Sequence, residues 1–272
     1  MELNSISDNY VDRAYIEGND FLEAGEFEKA LKCYSAALSM DSNFTSALFC
    51  KGVALNGLKR FQEAIGCFDS LLAADPLDAG ALENKGAALL ELKLHEDALK
   101  CYKKVLELEP DNSRALLETG YILHFFCNYK DAISYLDRSI ELNDSEKQAW
   151  YLKGLALAEQ GYISSVPYKF HEALKCFEKA LQLDPEDIAV LKEKAKTLLA
   201  TEAYYRAAEC YLKALKLLPG DVEVIAALAK TYKKMNMFEA ALGYYQKLME
   251  INQDSGLAAE IEYLSARLSE KH

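Results

Sequence analysis

The sequence predicts an all-α fold, an α-solenoid of stacked helix pairs, on three observations. Glycines recur every 34 residues at Gly18, Gly52, Gly86, Gly120 and Gly154, and alanines keep the same step at Ala30, Ala64, Ala98 and Ala132. A strict period of this size marks a repeat array, in which each unit buries its apolar face on the next. Within each period, apolar or small residues fall twice at helical spacing, as Leu82, Gly86 and Leu89 and then as Ala98, Tyr102 and Val105. Phrases such as Glu109-Pro110-Asp111-Asn112 separate the pairs, because proline ends one helix and Asp or Asn caps the next.

Taken in order, residues 1–10 are polar and expected to be flexible. Seven repeats follow, at 11–44, 45–78, 79–112, 113–146, 147–187, 188–221 and 222–255, each read as two helices. The fifth departs from the period: Ala173 lies 41 residues after Ala132, so seven residues are inserted within Gly161–Tyr168. Seven residues are about two helical turns, enough to lengthen each helix by one, whereas Pro167 fits a helix start or a loop. The insertion is either a tolerated surface loop or an arm that touches a ligand or another subunit. The sixth and seventh repeats carry Ala195 with Ala207 and Ala229 with Ala241 at the equivalent positions. Residues 256–272 read as one further helix with the stripe Leu257, Ile261, Leu264 and Leu268, the polar-backed cap that a solenoid end requires. Tyr263 stands where the repeat register needs a small residue, so this is not an eighth repeat.

Glycine inside a helix costs roughly 0.5–1 kcal/mol relative to alanine, so five in register need a compensating reason. A close crossing of the two helices supplies one. The crossing positions are Gly18 with Ala30, Gly52 with Ala64, Gly86 with Ala98, Gly120 with Ala132 and Gly154 with Ala173.

The copy holding Trp150, Lys153-Gly154, Leu157, Ala173, Phe177 and Pro185 follows the pattern W-x-x-L-G-x-x-Y, A-x-x-x-F, P, with Lys for Leu, Leu for Tyr and the insertion before the alanine. The chain therefore resembles the tetratricopeptide repeat (TPR) family over nearly its whole length. The resemblance implies a right-handed α-solenoid of seven helix-turn-helix repeats with a capping helix, like the stand-alone arrays of bacteria and methanogenic archaea. It also implies work as a non-catalytic scaffold that holds a protein partner.

Composition narrows the function further. Of 272 residues 51% are hydrophobic, enough for a continuous core, and with 5 Pro and 13 Gly there is no long linker. The net charge of −12 argues against a nucleic-acid surface, which needs clustered Lys and Arg. It is uneven: residues 1–112 carry 11 basic and 20 acidic side chains, residues 188–272 carry 12 and 11. Five of the seven cysteines, Cys33, Cys67, Cys101, Cys176 and Cys210, share one repeat position, too far apart for disulfides, and read as small buried hydrophobes in a reducing cytoplasm. No metal-ligand spacing occurs, and no cofactor or phosphate loop is expected. His95, His124, His171 and His272 are scattered, without a nucleophile–base pair, so no enzyme is expected. The start Met1-Glu2-Leu3-Asn4 lacks the basic and apolar regions of a signal peptide, and no apolar run of about 18 residues suggests a membrane span.

In the TPR family the outward positions of each first helix line a concave, peptide-holding groove. Carried over, these are Phe49, Val53, Leu90, Arg114, Leu117, Tyr121, His124, Phe125, Tyr151 and Leu155, followed by Lys192, Lys196, Lys230, Lys233 and Lys234. Repeat one offers Asp12, Tyr15, Asn19 and Glu23 there, while Asn56 and Gln148 add polar contacts. The carboxylate clamp of chaperone-binding members is absent: Asn19 lacks its lysine, replaced by Tyr15, and Glu118 stands where the clamp needs arginine. The expected partner is a protein segment with hydrophobic anchors and an acidic stretch toward the C-terminal repeats. The alternatives are self-association into a homo-oligomer and service as a regulatory subunit.

Overall fold

Fifteen helices and no strand make up the described part of the chain, residues 2–164, 166–251 and 255–269 of a computed structural model. They are α1 (Glu2–Glu23), α2 (Phe27–Met40), α3 (Thr45–Gly57), α4 (Phe61–Ala74), α5 (Ala79–Glu91), α6 (His95–Leu108), α7 (Ser113–Phe125) and α8 (Tyr129–Leu142). There follow α9 (Lys147–Ser164), α10 (Pro167–Leu183), α11 (Ile188–Ala200), α12 (Tyr204–Leu217), α13 (Val222–Lys234), α14 (Phe238–Ile251) and α15 (Ser255–Ser269). The chain forms two compact units, Met1–Ile122 and Leu123–His272. In the first, α1 to α6 each pack on their chain neighbour, and α1 also meets α3 and α3 meets α5. In the second the same holds from α8 to α15, with α9 also meeting α11. Residues expected to be a flexible leader are helical from Glu2 onward; Met1 lies outside the described residues.

The punctuation in the sequence acts as capping chemistry. Asp78, Asn112, Asp187 and Asp221 each accept a hydrogen bond from the amide three residues on, at 2.9–3.1 Å, which satisfies a free donor at the start of α5, α7, α11 and α13. The first helix of several pairs ends on a left-handed residue. Gly25 does this at no steric cost, whereas Lys59, Lys93, Cys127, Glu202 and Asn236 adopt φ of 57–61° despite carrying a Cβ.

The crossings are close, but the nearest group across from each glycine is an aromatic ring rather than the alanine expected from the sequence. A Cβ on Gly18 would lie 2.6 Å from the Tyr34 ring, on Gly52 2.7 Å from Phe68, on Gly86 3.0 Å from Tyr102 and on Gly154 2.6 Å from Phe177. All four rings are fully buried, as is every alanine at the crossing position. Burying one such ring contributes about 1.5–3 kcal/mol, which outweighs the roughly 0.5–1 kcal/mol that each helical glycine costs. Ala195 and Ala229 stand in the glycine's place opposite Tyr211 and Tyr245, the two rings of the set that keep slight exposure. Gly120 is buried too.

The insertion resolves into helix. The last turn of α9 runs to Ser164, and α10 begins at Pro167 in its first turn, so both the lengthening and the proline start hold; Ser165 lies outside the described residues. Tyr162, Ile163 and Tyr168 remain exposed at this extended tip.

All seven cysteines are free, and Cys101, Cys176 and Cys210 are buried. Burial pushes each of these thiols up, Cys176 to about 11, although Lys85, Lys153 and Lys194 respectively pull the other way. They are therefore protonated at mildly alkaline pH, and the thiolate is the reactive form. Exposed Cys127 should be alkylated by iodoacetamide first, with these three modified only on unfolding. A mass-spectrometric time course showing equal rates for all four would contradict the burial.

Candidate functional site

The outward faces of the odd-numbered helices carry the candidate surface, and each unit builds its own part. In the first, Tyr15 of α1 packs on Phe44 with ring centroids 4.9 Å apart, and Phe49 of α3 packs edge-on to Phe68 at 6.0 Å. Phe49 also leans over α5, 3.3 Å from where a Cβ on Gly80 would stand. Val53 rests on the core around Phe68, and Leu90 and Tyr121 rest on that around Tyr102. Asn56 donates to the Asn84 carbonyl at 3.2 Å, and Arg114 pairs with Glu83 at 3.1 Å. With Leu117, these side chains are half-buried wedges between successive first helices, with their outer edges open; Arg114 is exposed.

In the second unit Phe125 is 53% exposed and stacks edge-on to Phe126. His124 is half-buried against Tyr129, and burial holds its imidazole below the ordinary value despite the opposing pull of Glu159. On α9, Tyr151 packs toward Phe177 at 6.3 Å and Leu155 covers the same core. Tyr162 continues that stripe about two turns further on, and its hydroxyl donates to the Lys196 carbonyl on α11 at 3.3 Å. Sequence reasoning placed Tyr162 in the insertion and missed its position on this face; the helical spacing of 151, 155 and 162 was the available signal.

The lysines do not form a uniformly free basic face. Lys192 pairs with Asp221 at 3.1 Å and with Glu223. Lys196 pairs with Glu193 at 2.9 Å and Glu223 at 3.3 Å, and Lys233 pairs with Glu260 at 2.5 Å. Burial works to lower Lys196, but Glu193 and then Glu223 outweigh it and hold the ammonium above its ordinary value. Lys230 and Lys234 are exposed with no ion pair among the described residues. No cluster of three or more His, Cys, Asp or Glu is placed to hold a metal among the described residues, and no described helix is long and apolar enough to cross a membrane.

Stacked helix pairs with half-open aromatic edges on alternate helices define a repeat protein of the interaction-scaffold class. Comparison with protein families matches the tetratricopeptide repeat to residues 15–79, 79–112, 128–161, 169–222 and 224–259, and the chain belongs to that family. TPR proteins are in general protein–protein interaction modules without catalytic activity. Among solved structures, the chain is similar to YrrB, a TPR protein with an unusual peptide-binding site. Identity there is 22% over 71% of this chain and 96% of YrrB, with a TM-score of 0.61. It is also similar to a TPR protein from Parabacteroides merdae (18% identity, 94% of this chain and 99% of that one, TM-score 0.66) and to MamA (23%, 63% and 96%, TM-score 0.56). At these identities the likeness concerns the fold alone. No curated protein matches the chain.

Proposed function

We propose that the protein is a scaffold that holds an extended or helical segment of a partner protein against the outward faces of its first helices. The observation that carries this reading is the stripe Tyr151, Leu155 and Tyr162 on α9, three apolar groups left partly open beside the charged lattice of α11. Partly exposed aromatic and aliphatic groups in a row favour a partner's apolar anchors, which supply most of the affinity at such surfaces. In the first unit Phe49, Val53, Leu90, Leu117 and Tyr121 offer similar edges. Because Lys192, Lys196 and Lys233 already have carboxylate partners, an acidic stretch of the ligand would be steered chiefly by Lys230 and Lys234. The peptide-binding site of YrrB is consistent with this use of the fold.

A photo-crosslinking amino acid tests the reading. Placed at Leu155 in the full chain and irradiated in extract of the native cell, it should capture a partner polypeptide. The same group at Tyr205, which is 71% exposed on α12, should capture little. Capture at 205 with none at 155 would sink the proposal. A crosslink at 155 between two copies of this chain would favour self-association instead, and capture of an enzyme would make the chain a regulatory subunit.

A further inference from the structure

The second unit holds an open cleft of about 640 Å³ lined by α8, α9 and α10. Its α9 wall is not the face described above. Trp150, Lys153 and Leu157 sit roughly 150° around the helix from Tyr151, Leu155 and Tyr162, at about 100° per residue. The volume lies within the range of about 300–1,000 Å³ of pockets that enclose a ligand.

The floor is apolar, made by Ile133, Trp150, Leu157 and Cys176. The indole is fixed by its Nε1, which donates to the Asp144 carbonyl at 2.8 Å. The carboxylates of the wall are all matched. Asp137 pairs with Lys153, Glu172 with Lys169 at 3.2 Å, and Glu178 with Lys194 at 3.3 Å and Arg206 at 3.4 Å. Two lysines of the wall, Lys175 and Lys179, lie one turn apart on α10, exposed and without an ion pair among the described residues. The extra turn of α10 helps to make the wall. α2, α4, α6, α8, α12 and α14 begin three residues before their crossing alanine, whereas α10 begins six before Ala173, and Lys169 comes from this added turn.

An apolar floor beneath unmatched cations, in a chain of net charge −12, selects for a ligand that is both apolar and anionic. We propose that this cleft is a second docking site, which takes an acidic peptide segment through one bulky apolar side chain. The side chain would bury against Trp150 and Leu157 while neighbouring carboxylates meet Lys175 and Lys179. A nucleic-acid backbone fits poorly, because two unmatched lysines are too few for the run of phosphate contacts that holds one.

Trp150 is the only tryptophan, so its emission reports on this cleft and not on the face that carries Leu155. A random peptide library is selected on the full chain and, in parallel, on the variant Lys175→Ala with Lys179→Ala. Both substitutions are on exposed helix positions, and thermal melting of the variant checks that its fold is kept. Selection should enrich peptides that join an aromatic or long aliphatic residue to Asp or Glu. Synthetic copies should shift Trp150 emission saturably and bind the double variant roughly tenfold more weakly, with a shallower salt dependence. The proposal is overturned if no acidic–apolar pattern emerges, if such peptides leave the emission of Trp150 unchanged, or if they bind both chains alike. None of these results bears on crosslinking at 155, so the two sites stand or fall separately.

Discussion

Replacing Gly52 by leucine should lower the stability of the protein by about 3 kcal/mol, whereas the same change at Gly66 should leave it equal or slightly higher. At Gly52 even a Cβ would meet Cε1 and Cζ of Phe68 at 2.7 Å, closer than real contacts allow. The Phe68 ring is fully buried among Leu55, Ala64, Leu71 and Ala81, so it has no free space to swing into. Overpacking of this kind costs about 1–3 kcal/mol, and the leucine branch beyond the Cβ pushes the two helices apart and forfeits part of the ring's burial as well. Gly66 lies on exposed helix surface with nothing within 4 Å of an added Cβ. There the substitution removes a poor helix former, worth up to about 1 kcal/mol in the opposite direction. Urea or thermal unfolding of both variants decides the matter, and equal shifts would falsify the crossing geometry.

Removal of residues 256–272 should turn the protein into an aggregating or dimeric species. Leu264 of α15 is fully buried against Ala229, Ala241 and Tyr245, and Leu257 and Ile261 pack on the same cluster. Without α15 this apolar face meets water, and terminal repeats need a polar outer face to stay in solution. The outward side of α15 supplies that polarity: the ring of Tyr263 lies under Lys233 at 5.1 Å, and the guanidinium of Arg267 lies 5.9 Å from it. Glu260 adds its ion pair with Lys233. Sedimentation or multi-angle light scattering at several concentrations measures the outcome. A monomeric truncated chain with an unchanged melting point would show that α15 is an appendage and no cap.

Much of the candidate surface was legible because it follows from periodicity. Once Leu82, Gly86 and Leu89 are assigned to the core, the opposite face of α5 and of its counterparts is determined by a rotation of about 100° per residue. The residue types on that face were equally plain. Their energetic state was not. Lys192 and Glu223 are 31 residues apart, and only the packing of α11 beside α13 brings their charges together. The same is true of the cleft at Trp150, whose walls come from three helices and whose two free lysines stand out only when every other charge has been given its partner.

The sequence by itself determined the class of fold, the positions of the helix pairs and the asparagine and aspartate caps between them. These rest on local chemistry, the period of apolar residues and the affinity of a short polar side chain for the free amides of a helix start. It also determined that helices cross closely at Gly18, Gly52, Gly86 and Gly154, since nothing else compensates a helical glycine repeated in register. Only the tertiary structure decided what the glycines face. The rings of Tyr34, Phe68, Tyr102 and Phe177 take the space that a Cβ would fill, because a flat ring laid on bare backbone buries more apolar area than a methyl group does. Likewise the insertion became added helix in α9 and α10, and Lys59 and Lys93 took left-handed turns that their side chains disfavour. In each case the packing of neighbouring helices outweighed a local preference worth only about 1 kcal/mol, and that contest is settled by contacts far apart in the chain.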